Sequence, residues 1–125
     1  MISRIELEKF IFKKYASSAE HPWEKYPDYS VFRRNDNKKW FAVIMRIPIS
    51  KFGILENRQV NVINLKCTEE AMDRVWLEDG IFPAYHMNKD HWISVLLDRS
   101  VSIKTVEFLI DVSFQATAPK TKKKR

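Results

Sequence analysis

At 125 residues the chain can build one hydrophobic core but is too short for two domains. Apolar residues make up 45% and charged residues 30%, the balance of a globular domain, and no apolar run approaches the roughly 18 residues needed to span a bilayer. The net charge of +6 is concentrated at one end: Lys120, Lys122, Lys123, Lys124 and Arg125 supply five of the 22 basic residues, leaving residues 1–119 with 17 basic against 16 acidic side chains, so a strongly basic folded surface is excluded.

Ser3 and Glu6 have the S-x-x-E spacing of a capping box, which predicts a helix from there to about Tyr15. Leu7, Phe10 and Ile11, extended by Phe12, form its apolar stripe. The same stretch is too densely charged for the core of a signal peptide, and the single Cys67 permits no intramolecular disulfide, so a cytosolic location is expected. SSAEHPWEKYPDY then breaks any periodicity and reads as a structured loop. YSVFRR and KWFAVIMRI flank the turn-forming Asn35, Asp36 and Asn37, a predicted hairpin whose second strand stops at Pro48. A third strand is expected over residues 59–66. Thr68 suits an N-cap with Glu69 and Glu70 behind it, opening a helix that buries Met72, Val75 and Trp76 and leaves through Gly80. IFPAY and HWISVLLD read as two more strands. The last helix starts near Ser102 and buries Ile103, Val106, Leu109, Ile110 and Phe114. The order α-β-β-β-α-β-β-α predicts a single α+β domain with a mostly antiparallel sheet over residues 1–118, followed by a basic, solvated tail at 119–125 able to attract phosphates without sequence preference.

Alternation along the second strand puts Phe41, Val43, Met45 and Ile47 on one face and Trp40, Ala42, Ile44 and Arg46 on the other. HWISVLLD divides the same way, into His91, Ile93, Val95 and Leu97 against Trp92, Ser94, Leu96 and Asp98. If helices cover the more uniformly apolar face, Trp40 and Trp92 lie on the opposite one. That face is then either an open aromatic binding surface or a second small core under a loop.

The densest chemistry is PAYHMNKDHW, residues 83–92. Metal binding is not expected: His86 and His91 sit on unlike elements, Cys67 stands alone, and H-E-x-x-H is absent. With only Gly53 and Gly80 there is no phosphate loop, dinucleotide fingerprint or nucleophile elbow, so neither a cofactor nor catalysis is expected. Cys67 precedes a helix and reads either as an activated thiol or, better, as a small apolar residue at a strand end. Asp98 and Asp111 read as strand-end and helix-surface residues.

Tyr85, His86, Met87, Asn88, Lys89, His91 and Trp92, together with NLKC at 64–67, HPWEKYPDYSVF at 21–32 and KWFAVIM at 39–45, resemble the MmcQ/YjbR family of small bacterial proteins. Ala84 departs from the glycine usual at the head of that motif, which puts the local backbone angle in question. The resemblance runs from the first helix to Phe114. It implies a CyaY-like fold and a DNA-binding role through a curved sheet surface likened to a double wing. On that reading Lys66, Lys89 and Arg46 contact phosphates, and Asn64 and Asn88 reach base edges or sugars. Trp40, Tyr85 and Trp92 stack on exposed bases, and His86 and His91 donate to phosphate. The near-neutral body suits a protein-interaction module on the same face as well, and a small-ligand pocket around His86, Lys89 and Tyr85 is the third reading. A purely structural role for His86 and Asn88, tying the loop to nearby backbone above a packed Trp92, stands beside all three.

Overall fold

Ser3 opens α1 (Arg4–Tyr15) by accepting the Glu6 backbone N–H at 3.3 Å, one half of the expected capping box. The computed structural model describes residues 2–75, 78–98 and 100–120, so the expectations for Trp76 and for Lys122, Lys123, Lys124 and Arg125 lie outside the described residues. Leu7, Ile11 and Tyr15 are buried and Phe10 packs beside them. Phe12 is a correction: it is 59% exposed, because it stands about 100° around the helix from Ile11.

Five strands follow: β1 (Ser30–Arg33), β2 (Trp40–Pro48), β3 (Gln59–Lys66), β4 (Ile81–Pro83) and β5 (Trp92–Leu96). They form one sheet in the order β1-β2-β3-β5-β4, with every neighbouring pair antiparallel. A 3-10 turn at Ile49–Phe52 leaves β2, α2 (Glu69–Val75) separates β3 from β4, and α3 (Ile103–Ala116) ends the fold. The expected element order is therefore found in a single α+β domain. Thr68 accepts from the Ala71 N–H and Ser102 from the Thr105 N–H, so both later helices carry the caps their sequences call for. Ile103, expected in the α3 stripe, is instead 43% exposed at the first turn, and Ser113 takes a buried place. Among the described residues no helix is long and apolar enough to cross a membrane.

Helices cover one face of the sheet, and loops cover part of the other. The helices pack on Phe32, Ala42, Ile44, Ile63, Leu65, Ile93 and Val95. On β5 this agrees with the expected alternation. On β2 it reverses it, since the helices take the Ala42/Ile44 side and leave Val43, Met45 and Ile47 on the other. The cause is a β-bulge. Phe32 pairs with Ala42 but Arg33 pairs with Trp40, so Phe41 is an extra residue and the faces swap around it. Phe41 thereby joins the helix-side core, and Trp40 turns to the far side with Val43 and Met45. Ser113 of α3 secures the bulge: its hydroxyl accepts the Lys66 N–H at 2.8 Å and donates to the Phe41 carbonyl at 2.6 Å.

The far face carries the second small core. Val31, Val43, Met45, Ile47, Ile49, Val60, Val62 and Leu96 are buried there, and Phe52, Ile54, Trp23 and Tyr29 pack over them from loops. Phe52 stacks on Phe82 at 4.9 Å between ring centroids, closing the half of the face near the 3-10 turn. The other half stays open.

Candidate functional site

The open half of the far face lies between two loops, and each has its own anchoring. One is the 84–91 turn joining β4 to β5. The Asn88 carbonyl accepts the N–H groups of His91 (3.2 Å) and Trp92 (2.9 Å), and its Oδ1 accepts the Asp90 N–H at 2.8 Å. Asn64 sits beneath, fully buried on β3. Its Nδ2 donates to the Tyr85 carbonyl at 2.9 Å, its Oδ1 accepts from the Ser94 hydroxyl, and that hydroxyl accepts the Tyr85 N–H at 2.9 Å. Both backbone polar groups of Tyr85 are therefore tied to the sheet. Ala84 is fully buried with an ordinary negative φ; the left-handed position is His86, at φ 65°. The small residue at 84 answers to space rather than to backbone angle. The His86 ring lies 3.8 Å from the Tyr85 ring centroid.

The second loop, residues 20–29, crosses the β1 edge. Glu20 bridges to Val31, His21 Nδ1 lies 3.1 Å from the Tyr29 carbonyl, and the Tyr26 N–H donates to the Trp23 carbonyl at 3.2 Å. Between the loops a cleft of about 390 Å³ is lined by Trp23, Tyr26, Tyr29, Trp40, Val43, Met45, His86, Met87 and Asn88. Trp23 stands nearly perpendicular to Trp40 (5.5 Å, 82°) and to Tyr29 (5.9 Å, 79°), whereas Tyr26 stacks on Tyr29 (4.7 Å, 16°). Burial pushes the Tyr29 hydroxyl above its ordinary pKa, which keeps that hydroxyl protonated.

The residues expected to form a site divide into five groups. Trp40, Lys66 and Trp92 come to the same end of adjacent strands on the far face, Lys66 pairing with Trp92. His86, Asn88, Lys89 and His91 are exposed on the turn beside them, with Tyr85 half-buried. Asn64 is a correction: a buried amide with both ends engaged positions the turn and offers nothing to a base. Arg46 is another. It is exposed but shares the Ala42/Ile44 side, because the bulge removed Trp40 from that set and left Arg46 on the helix-side face. Lys120 is exposed at the end of the described chain.

Trp23, Tyr26, Tyr29 and Met87 were not among the expected site residues. The only signal for the first three was the aromatic density of HPWEKYPDY, which has no periodicity to orient it. Cys67 is buried, and burial pushes its thiol up, which disfavours a thiolate nucleophile. Among the described residues no three His, Cys, Asp or Glu side chains converge as metal ligands would. Among the described residues four arginines are engaged by carboxylates: Arg4 with Glu8, Arg33 with Glu20, Arg34 with Asp36, and Arg58 with Glu56 and Asp98.

The YjbR family model matches residues 12–116. The chain is 39% identical over 117 residues to the uncharacterized protein YyaQ of Bacillus subtilis, covering 94% of this chain and 99% of that one. It is 29% identical over 80 residues to the uncharacterized protein YjbR of Escherichia coli K12, covering 61% and 66%. A crystal structure of a Pseudomonas syringae protein superimposes with a TM-score of 0.89 at 46% identity, covering 94% of this chain and all of that one (100%). Deinococcus radiodurans protein DR2400 shares the fold at 21% identity, with a TM-score of 0.70 over 93% of this chain and 78% of its own. With the family model spanning nearly the whole folded body and the motif of residues 85–92 at the mouth of its cleft, this chain belongs to the YjbR family.

Proposed function

We propose that the protein is a non-enzymatic DNA-binding domain that takes an unpaired strand along its loop-covered sheet face. The observation that carries this reading is the grouping of Trp40, Lys66 and Trp92 at one end of that face, next to the exposed Lys89, His86 and His91. Aromatic rings offer stacking surface to any base, and two lysines at the border supply phosphate contacts. Duplex is disfavoured, because Arg4, Arg33, Arg34 and Arg58 are already engaged by carboxylates, which weakens any broad positive surface. Fluorescence anisotropy with single-stranded and duplex oligonucleotides over a salt series tests it. Lys89→Ala should weaken binding for all sequences and flatten the salt slope by about 0.7 unit. Trp92→Ala, if folded, should cost about 1–3 kcal/mol with the slope unchanged. Absence of single-strand binding at low salt by the folded protein would sink the proposal.

A protein-interaction module on the same face is the second reading. It is favoured by the same carboxylate-engaged arginines and by an aromatic cleft with a polar border, which is how the centre of a protein interface is composed. A protein partner would displace oligonucleotides only if the two share the face, so the salt series separates the readings.

A further inference from the structure

The cleft between the two loops is more particular than a sticky face, and we infer that it is a pocket for one uncharged, planar heteroaromatic ring of nucleobase type. The inference rests on reading this face as a binding surface and names what its recess takes. Its volume, about 390 Å³, is at the small end of the roughly 300–1,000 Å³ typical of ligand pockets, room for a ring system and not for a peptide segment. The rings of Trp23 and Trp40 meet at 82°, which makes a corner. A flat guest can lie face-to-face on one ring and turn its edge toward the face of the other, the two arrangements that aromatic pairs prefer.

Charge selects the guest further. Among the described residues no Lys, Arg, Asp or Glu lines the recess, so a formal charge placed there would lose water without gaining an ammonium, guanidinium or carboxylate partner from them. A cationic guest meets an added obstacle, because the Arg33 guanidinium already lies 5.6 Å from the Trp40 ring centroid. The 84–91 turn brings His86 and Asn88 to one side of the lining, while the opposite loop contributes aromatic rings whose polar atoms are the Tyr26 and Tyr29 hydroxyls and the Trp23 indole N–H. Asp90 occupies the Asn88 Oδ1, which leaves the Asn88 amide N–H₂ to donate to a guest. The imidazole of His86 adds a donor or acceptor according to its tautomer. A flat guest with hydrogen-bonding atoms on its edge and apolar faces fits rings set beside the amide and imidazole of the turn. His86 holds its place at φ 65°, a conformation costly for a residue with a Cβ, and backbone strain of that kind concentrates where a side chain must be aimed.

The ring has two sources, a base on a strand or a free nucleoside. The test follows the indole N–H resonances of the full chain by NMR, assigned through Trp23→Phe and Trp40→Phe variants. It uses a free nucleoside, a short single-stranded oligonucleotide, and the same oligonucleotide with its central bases removed as abasic sites. The expected result is a saturable shift of the Trp23 and Trp40 indoles with nucleoside, the Trp92 indole staying in place, and about tenfold weaker binding of the abasic strand. Tyr26→Ala, at a position 46% exposed and so safe for folding, should weaken nucleoside binding by a similar factor. Nucleoside binding without oligonucleotide binding would support the pocket, assign it a free ligand and remove the strand reading. Equal binding of intact and abasic strands, with no nucleoside shift at Trp23 or Trp40, would overturn the pocket and leave the strand reading standing.

Discussion

A buried polar group left without its partner costs about 1–3 kcal/mol, and Asn64 has partners at both ends of its amide. Asn64→Ala should therefore lower stability by that amount in denaturant unfolding and speed amide exchange at Tyr85, whose carbonyl and Ser94 anchor would both be released. A variant as stable as the parent would show that the turn is held elsewhere. The residue was legible as polar and near the motif, but its strand parity did not reveal that a loop would fold down onto it. Trp23 and Tyr26 escaped for the complementary reason, since a loop has no period from which to read a direction. A second residue-scale prediction concerns pH. Hydrogen bonds from Arg34 to Asp36, at 2.9 and 2.8 Å, hold that carboxyl down to about 2 from its ordinary 3.8. A carboxyl depressed in the folded state stabilises it above the unfolded pKa, and the contribution is lost as pH falls from about 4 toward 2. Melting temperature should drop more steeply across that window in the parent than in Asp36→Asn. Parallel curves would rule the pair out as a source of acid sensitivity. Asp36 itself faces solvent, so the difference should be modest.

Elements were the most legible level, because caps and periodicities are local: Ser3, Thr68 and Ser102 each accept the N–H that their spacing assigns them. What local pattern cannot show is a bulge. One extra residue at Phe41 reversed the facing of Val43, Met45 and Ile47, and moved Trp40 and Arg46 to opposite sides. The junction after α2 offers a cleaner test of how elements meet. Gly80 has φ 88°, and a Cβ there would lie 2.5 Å from the Ser100 Cβ, whereas Gly53 has φ 80° with nothing within 4 Å. Both substitutions to alanine pay for the left-handed backbone, roughly 1 kcal/mol. Gly80→Ala must also push Ser100 and Val101 away at the entrance to α3. Its unfolding midpoint should fall well below that of Gly53→Ala. Equal losses would mean that this close approach relaxes freely.

For the molecule as a whole, charge separates two kinds of nucleic-acid affinity that a single binding constant would merge. The sequence places five of its six net positive charges in residues 120–125, while the body holds 17 basic and 16 acidic side chains, several paired internally. That partition was readable before any fold was known; which body cations remain outward beside the cleft was not, because pairings such as Arg33 with Glu20 join residues far apart in sequence. Counterion release ties the salt slope to the number of phosphates neutralised, about 0.7 per contact on a single strand. A chain using the tail together with Lys66 and Lys89 should therefore show a slope near five units, and deletion of residues 120–125 should remove about 3.5 of them. Duplex affinity should then be nearly abolished, since it has no stacking to fall back on, while single-strand affinity should persist with a slope of roughly 1.4. The core residues described above all precede residue 118, so the melting temperature is expected to stay where it was. If single-strand and duplex binding vanish together on deletion, the tail alone is the nucleic-acid ligand and the aromatic face belongs to another partner.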